Sequence, residues 1–460
     1  MPEKLLTRST GAISAHSFRH VESSRLLHCV QLSPETHFDS NDNNFNATGV
    51  GNDRTDTHDI APAHWAHRSG VNCLTVDRFE GRYMLSGGAD SSIFLWDLET
   101  TAFGREKTIH KPQARIDKGS SSHTFGITHV SFYPFDSFAF LTSSFDHTLK
   151  LYSTESFKVS ASFDLESVIY SHAVSPIADH LLVACATQHP AIRLVDLRSG
   201  ASTHALAGHQ GAVLSTDWSP KDEHILASGG VDGTVRLWDI RRSSGSLGVL
   251  DLEDAIGVEG EDGLGKNARL RDRGKAHVGA CNGVVWKDDG KFIVTAGHDE
   301  RVRVWNTTVG ADSLSHFGPI IRNSYTATLL PLLTPSTVSG NILLYPNEKE
   351  ILMFDMFEGT LFKRLRSPSA TIAQGSGSAG QRNIRARTTS LAWKSHDIAF
   401  YSAHSDGKIQ EWRPRTEAEA DLDKDEIEGI DDSEDNERKR KRQALDDVFR
   451  DLTKQRITFT

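Results

Sequence analysis

Nowhere in this chain do eighteen apolar residues follow one another, so no segment reads as a helix crossing a membrane. The opening residues, Met1-Pro2-Glu3-Lys4-Leu5-Leu6, lack the apolar stretch of a secretion signal. Cysteine is scarce: Cys29, Cys73, Cys185 and Cys281 lie far apart, with no CxxC and no paired-His spacing. That argues against a disulfide framework and structural zinc, and for a reducing compartment. Asn46-Ala47-Thr48 is a glycosylation sequon by letter, and without a secretory signal it reads as part of a polar loop. Also missing are Gly-x-Ser-x-Gly, a P-loop and His-Glu-x-x-His, so the chain is expected to be no enzyme and to need no cofactor or metal. The formal net charge of −10 offers no overall attraction to nucleic acid, and direct binding to it is not expected.

What the chain does have is a repeat. Ser228, Asp232 and Trp238 are spaced by four and then six residues, and the same spacing recurs at Ser86, Asp90 and Trp96. It recurs again at Thr295, Asp299 and Trp305, and at Ser402, Asp406 and Trp412. Thr142, Asp146 and Tyr152 repeat it with Tyr for Trp. A His precedes the aromatic by 29 residues at His67, His123 and His209, and by 28 at His277. Gly208 before His209 and Ala276 before His277 approach the Gly-His start of a WD40 unit. Two weaker endings, Ala191 to Arg198 and Ile351 to Met356, put Val195 and Phe354 at the Trp position. The seven positions are then separated by 56, 43, 43, 67, 49 and 58 residues. A bare four-stranded blade takes roughly 40–45 residues, so the longer steps carry insertions.

The expected fold is therefore all-β: a seven-bladed WD40 β-propeller over 64–415, with an N-terminal helical segment over 1–36. A flexible linker is expected over 37–63 and a mostly disordered charged tail over 416–460. Closing the ring hides most strand edges. The recurring His, Asp, Ser or Thr and Trp are expected to form one buried polar chain per blade, which is structural rather than catalytic.

Outside the blades, 37–63 is rich in Asn, Asp, Gly and Thr, and 101–120, 242–274 and 366–386 interrupt the pattern. Residues 417–437 hold 12 acidic side chains in 21 positions, too charged to bury a core. The run Arg438-Lys439-Arg440-Lys441-Arg442 that follows suits nuclear localisation, or a charge cluster balancing the acids. Leu445, Val448, Phe449 and Leu452 suggest a short amphipathic helix. Near the N-terminus, Phe18, Val21, Arg25 and Leu26 fall near one helical face, with Arg19 and Glu22 beside it. Such a helix could pack on the ring, lead into a strand completing the closing blade, or insert into a partner's groove.

Several segments are more specific. Asp77 to Asp90, Ser143 to Leu151, Tyr170 to Pro176, Trp218-Ser219-Pro220 and Leu237 to Arg242 resemble the Cockayne syndrome A protein family. That resemblance spans the blades and residues 7–32. It implies a nuclear, seven-bladed substrate receptor of a cullin-four RING ubiquitin ligase in transcription-coupled nucleotide excision repair. Its partners would be the adaptor damaged-DNA-binding protein one, stalled RNA polymerase II and a repair ATPase. The family's docking helix maps to about Thr10–Leu32, with Phe18, Arg19, Arg25 and Leu26 as implied contacts. A WD-x-R box of adaptor-binding propellers stands at Asp239 and Arg241, more weakly at Asp196 and Arg198. Arg241 could present its planar fork to the adaptor, or pair only with nearby carboxylates. On this view residues 1–32 serve docking and the propeller folds without them. The 37–63 and 242–274 segments and the charged tail are additions the resemblance does not cover. The competing expectation is a scaffold of another nuclear complex, in chromatin or RNA processing, which many WD40 rings serve.

Overall fold

The computed structural model describes residues 14–40, 64–99, 108–119, 121–200, 202–242, 246–252, 274–339, 341–367 and 387–415. Within them, seven four-stranded antiparallel sheets surround one axis. In chain order the blades cover 71–116, 127–164, 169–207, 213–250, 281–312, 332–366, and 388–414 joined by 30–32. Burial follows position in the blade. Second strands such as Ala139–Ser144, Ile225–Gly230 and Phe292–Gly297 are buried along nearly their whole length, because neighbouring blades cover both faces. Outer strands such as Val159–Asp164 and Leu361–Arg366 alternate, with one face in water.

The core is correspondingly divided. Seven apolar clusters each fill the gap between two adjacent blades. Trp96, Trp238, Trp305 and Trp412 are buried in four of these gaps, and Tyr152 and Phe354 in two more. In the remaining gap, between blades two and three, Val195 holds the same place.

The ring closes with its own N-terminus. Strand β1 (Val30–Leu32) supplies the fourth strand of blade seven, with Val30 opposite Pro414 and Leu32 opposite Trp412. Strand β2 (Thr36–Phe38) then pairs in parallel with Thr108–His110 beside blade one. Phe38 stands edge-on to both Trp96 and Tyr401, sealing blade one against blade seven. These contacts correct four expectations. The ring does not start at residue 64, because 30–32 belong to it. The linker does not start at 37, and the 101–120 interruption gives way to strands at Thr108–His110 and Pro112–Ile116. Nor do residues 1–32 stand apart from folding, since their end completes a blade. The expectations for 41–63, 253–273, 368–386 and 416–460 fall outside the described residues.

Around the axis the innermost strands are tied by side chains. Thr389 Oγ1 donates to the Val71 carbonyl, Asn72 Nδ2 to that of Ile127, and Thr128 Oγ1 to that of Ile169. The belt is continued by the connection between blades five and six, which dips into the channel. There Thr328 Oγ1 reaches the carbonyls of Leu214 and Tyr170, while Asn282 Nδ2 donates to those of Tyr325 and Ala327. Each bond satisfies a polar group that would otherwise be stranded between blades.

At the other mouth of the channel Asp217 accepts the backbone N–H of Trp286 at 2.8 Å. Burial pushes its carboxyl up to about 7; the N–H groups of Trp286 and Trp218 oppose this only in part, and Asp288 adds repulsion. A carboxyl whose pKa is higher folded than unfolded holds its proton better in the fold, so stability falls as pH rises from about 4 to about 7. Asp217→Asn, which mimics the protonated form, is expected to melt above the parent by a larger margin at pH 8 than at pH 5, where the parent's loss is only partly developed. Equal melting temperatures at both pH values would refute the buried-proton assignment.

Candidate functional site

Each blade has an end carrying the turn with the recurring Asp, here termed the upper face, and an opposite, lower end. In blade four the polar chain forms as expected. His209 Nδ1 donates to Asp232 at 3.2 Å, Ser228 Oγ bonds His209 Nε2 at 2.8 Å, and Trp238 Nε1 donates to Ser228 Oγ at 2.8 Å. Blade five repeats it through His277, Asp299, Thr295 and Trp305. Blade two repeats it through His123, Asp146 and Thr142, but the buried Tyr152 hydroxyl finds no partner there.

Two blades depart from the expected wiring. In blade one Asp90 sits 3.8 Å from His67 Nδ1, and Ser92 stands between them, donating to Asp90 at 2.5 Å and bonding His67 at 2.7 Å. His67 Nε2 still meets Ser86 Oγ, which accepts from Trp96. In blade seven Trp412 donates to Ser402, but the His comes from the same strand: His404 Nε2 lies 2.9 Å from Ser402 Oγ. Asp406 there accepts from the Lys408 backbone. Burial alone would raise Asp90, Asp146, Asp232 and Asp299, yet the His partner of each, helped by further donors, outweighs it, and all four lie well below the ordinary carboxylate range. The help comes from the Ser92 and Thr148 hydroxyls at the first two, from the backbone N–H groups of Gln210 and Thr234 at Asp232, and from Arg303 at Asp299. Burial lowers His67 and His277, favouring the neutral rings this wiring needs. These residues are committed to holding blades together.

The side chains free to meet a partner lie elsewhere. Helix α1 (Ala15–His28) starts at Ser14, whose hydroxyl accepts the Ser17 N–H at 3.1 Å, an N-cap. It ends against blade six. Lys363 Nζ donates to the carbonyls of His28 and Val30, a cation satisfying the helix C-terminus, and Phe362 meets the His28 ring edge-on. Helix α2 (Ser336–Ser339), in the lower loop of blade six, packs on α1, so α1 lies toward the lower face.

The face α1 buries was not the one picked out by its apolar spacing. Leu27 is fully buried between blades six and seven, and Ser23 is buried one turn earlier. Arg19, Val21 and Arg25 are exposed, Phe18 and Leu26 half-buried. Arg25 Nε pairs with Glu22 at 3.2 Å across one turn. Leu27 was passed over because a single leucine anchoring a helix carries no periodicity. The consequence is a helix held by one side, with a mixed apolar and cationic face turned away from the ring.

Asp239 and Arg241 also lie at the lower end, where the third strand of blade four stops. Their geometry is intramolecular: Arg241 Nε and Nη2 donate to the two Asp239 oxygens at 3.0 and 2.9 Å. Asp239 is buried, whereas the Arg241 side chain is 66% exposed. The fork is thus used at home, leaving the flat face and the Nη1 edge for a partner. At the weaker box, Asp196 accepts the backbone N–H of Arg198 and hydrogen bonds from Ser199.

A ring of seven four-stranded blades with a His, Asp, Ser or Thr and Trp chain recurring through it defines a WD40-repeat propeller, an interaction scaffold by class. The model of the WD domain, G-beta repeat, matches residues 62–97, 117–153, 200–239 and 270–306. Those are blades one, two, four and five, the four whose His and Asp approach one another. Over 93% of its length the chain is 28% identical to the WD repeat-containing protein ATCSA-1 of Arabidopsis thaliana, covering 98% of that protein. It is 30% identical to the ribosome biogenesis protein ytm1 of Aspergillus niger and 26% to the radiation-sensitive protein 28 of Saccharomyces cerevisiae. In those two it spans 53% and 57% of the relative's length.

Proposed function

We propose that this protein is a non-catalytic substrate receptor of a cullin-four RING ubiquitin ligase acting in transcription-coupled nucleotide excision repair in the nucleus. It docks on the adaptor damaged-DNA-binding protein one with α1 and the lower face, and recruits stalled RNA polymerase II and its repair ATPase with the upper face. The observation that carries this reading is α1 itself. Propeller closure needs β1 and, from the fourteen-residue helix ahead of it, the Leu27 anchor, whereas Arg19, Val21 and Arg25 of that helix are exposed. A helix anchored at one end with an exposed face suits insertion into a groove. Likeness to a protein named ATCSA-1 along nearly the whole chain agrees with the family resemblance read from the sequence. The likeness to ytm1, the argument for a scaffold in ribosome assembly, spans only half of each chain.

The test is adaptor binding by the full-length protein. Combining Phe18→Ala with Arg25→Glu is expected to weaken binding at least about tenfold, or about 1.4 kcal/mol, without moving the melting temperature. Arg241→Ala, whose fork already serves Asp239, is expected to cost only about two- to fivefold, below about 1 kcal/mol. Full-affinity binding by the α1 double variant would remove the docking role. Stable capture of ribosome-assembly factors in place of the adaptor would favour the scaffold.

A further inference from the structure

The upper mouth of the channel holds a pocket of about 310 Å³, on the opposite side from α1. Thr128 and Thr389 of the axial belt line it, with Phe145, Tyr170 and Tyr325 as aromatic walls and Arg387 among them. We propose that this pocket receives an acidic side chain from an extended segment of the recruited protein, with the Arg387 guanidinium as counter-charge. The inference rests on the receptor reading and adds the chemistry of what the upper face selects.

Three observations carry it. First, the Arg387 guanidinium lies 3.8 Å from the centroid of the Tyr325 ring, a stacked pose that leaves its in-plane N–H edges for a planar acceptor. Secondly, among the described residues no carboxylate lies within ion-pair distance of it. Arg322, the other cation of the pocket, is paired with Glu300 at 3.0 Å. Glu348, the one carboxylate lining the pocket, accepts the Ser324 hydroxyl at 2.8 Å and forms no ion pair among the described residues. Burial lowers the pKa of Arg387 and the attraction of Tyr325 and Glu348 offsets it only in part, the mark of a cation stripped of water without full compensation. A ligand carboxylate would supply the missing partner through charge-assisted bonds. Thirdly, the surrounding upper face is apolar: Phe125, Phe145, Val231, Val278 and Tyr325 are all exposed in upper loops. The volume suits one or two side chains rather than a folded element, so the occupant is a peptide segment with an acid flanked by apolar residues.

Selection of a displayed library of random twelve-residue peptides on the full-length protein tests this. Enriched peptides are expected to share an Asp or Glu beside an aromatic or aliphatic residue. Their synthetic forms should lose at least about tenfold in affinity on Arg387→Gln and on Tyr325→Ala. Arg387→Lys, which keeps the charge, should recover part of that loss, and unchanged melting curves identify variants that fold. Peptide binding by the Phe18→Ala, Arg25→Glu protein should equal that of the parent, which separates failure of the pocket from failure of adaptor docking. Enrichment of neutral or basic peptides, no enrichment, or equal binding by Arg387→Gln would overturn the proposal. So would tighter peptide binding after removal of residues 416–460 combined with competition by a peptide of residues 417–437, since the occupant would then be the protein's own acidic segment.

Discussion

Deleting residues 1–33 is expected to lower the melting temperature by roughly ten degrees or more and to make the ring a ready substrate for limited proteolysis. The deletion withdraws Leu27 and Val30, both fully buried among Ile342, Met353, Phe400 and Trp412. Burying an aliphatic side chain of that size contributes about 1.5–3 kcal/mol, and the cavity left behind adds to the loss. It also strips the ladder from Ile409–Pro414, turning a paired strand into an open edge. A total of roughly 5 kcal/mol is a large share of the stability of any domain. Melting and proteolysis of the full chain, the deletion, and the Phe18→Ala, Arg25→Glu variant decide the matter. The deletion should fail and the point variants should not. If the deletion melts with the parent, β1 is ornamental and the closure described here is wrong.

Asp299→Ala is expected to cost about 3–5 kcal/mol, more than Asp232→Ala at about 1–3 kcal/mol, although both remove the same residue of the same repeat. The difference lies in Arg303. Its Nη1 donates to Asp299 at 2.8 Å and lies against the His277 ring, and both Arg303 and Asp299 are about nine-tenths buried. Removing Asp299 therefore leaves a buried cation without its counter-charge, whereas removing Asp232 leaves only His209 and Thr234 short of an acceptor. Denaturant unfolding of the two variants measures the gap, and Arg303→Met placed in the Asp299→Ala background should recover part of the loss. Equal losses in the two blades, or no recovery, would mean that Arg303 contributes nothing beyond packing.

The parts of this molecule legible in the sequence are those whose physics repeats. Ser228, Asp232 and Trp238 could be recognised because five blades solve one problem, a satisfied polar chain between strands, with the same spacing. Blades three and six were faint because they solve it without polar groups. Cys185 and Val195 take the Ser and Trp places in one, Leu344 and Phe354 in the other, and all four are fully buried. In blade one Ser92 entered the chain unannounced, since a Ser two residues after Asp is common in any turn. Strand β1 was only one of three readings, because three residues carry no period and its ladder partner lies at the other end of the chain. The docking helix was visible but turned, its anchor Leu27 carrying no repeat of its own. The upper pocket was invisible, as it takes one to three residues from each of five blades and more from one connecting loop, brought together only by the ring.

Because Thr36 and Glu411, bonded at 2.6 Å, are 375 residues apart, the seam of blade seven joins an early and a late part of the described chain as it leaves the ribosome. At about 5–20 residues per second, the N-terminal strand waits on the order of twenty seconds to over a minute for its mate. Until blade seven is made, Leu27 and Val30 lack the cover of Phe400 and Trp412, and the six earlier blades form an open arc. Birth of this protein is thus ordered in time, with a chaperone's window set by translation speed. A message cut short anywhere before codon 409 yields an arc that can never shut.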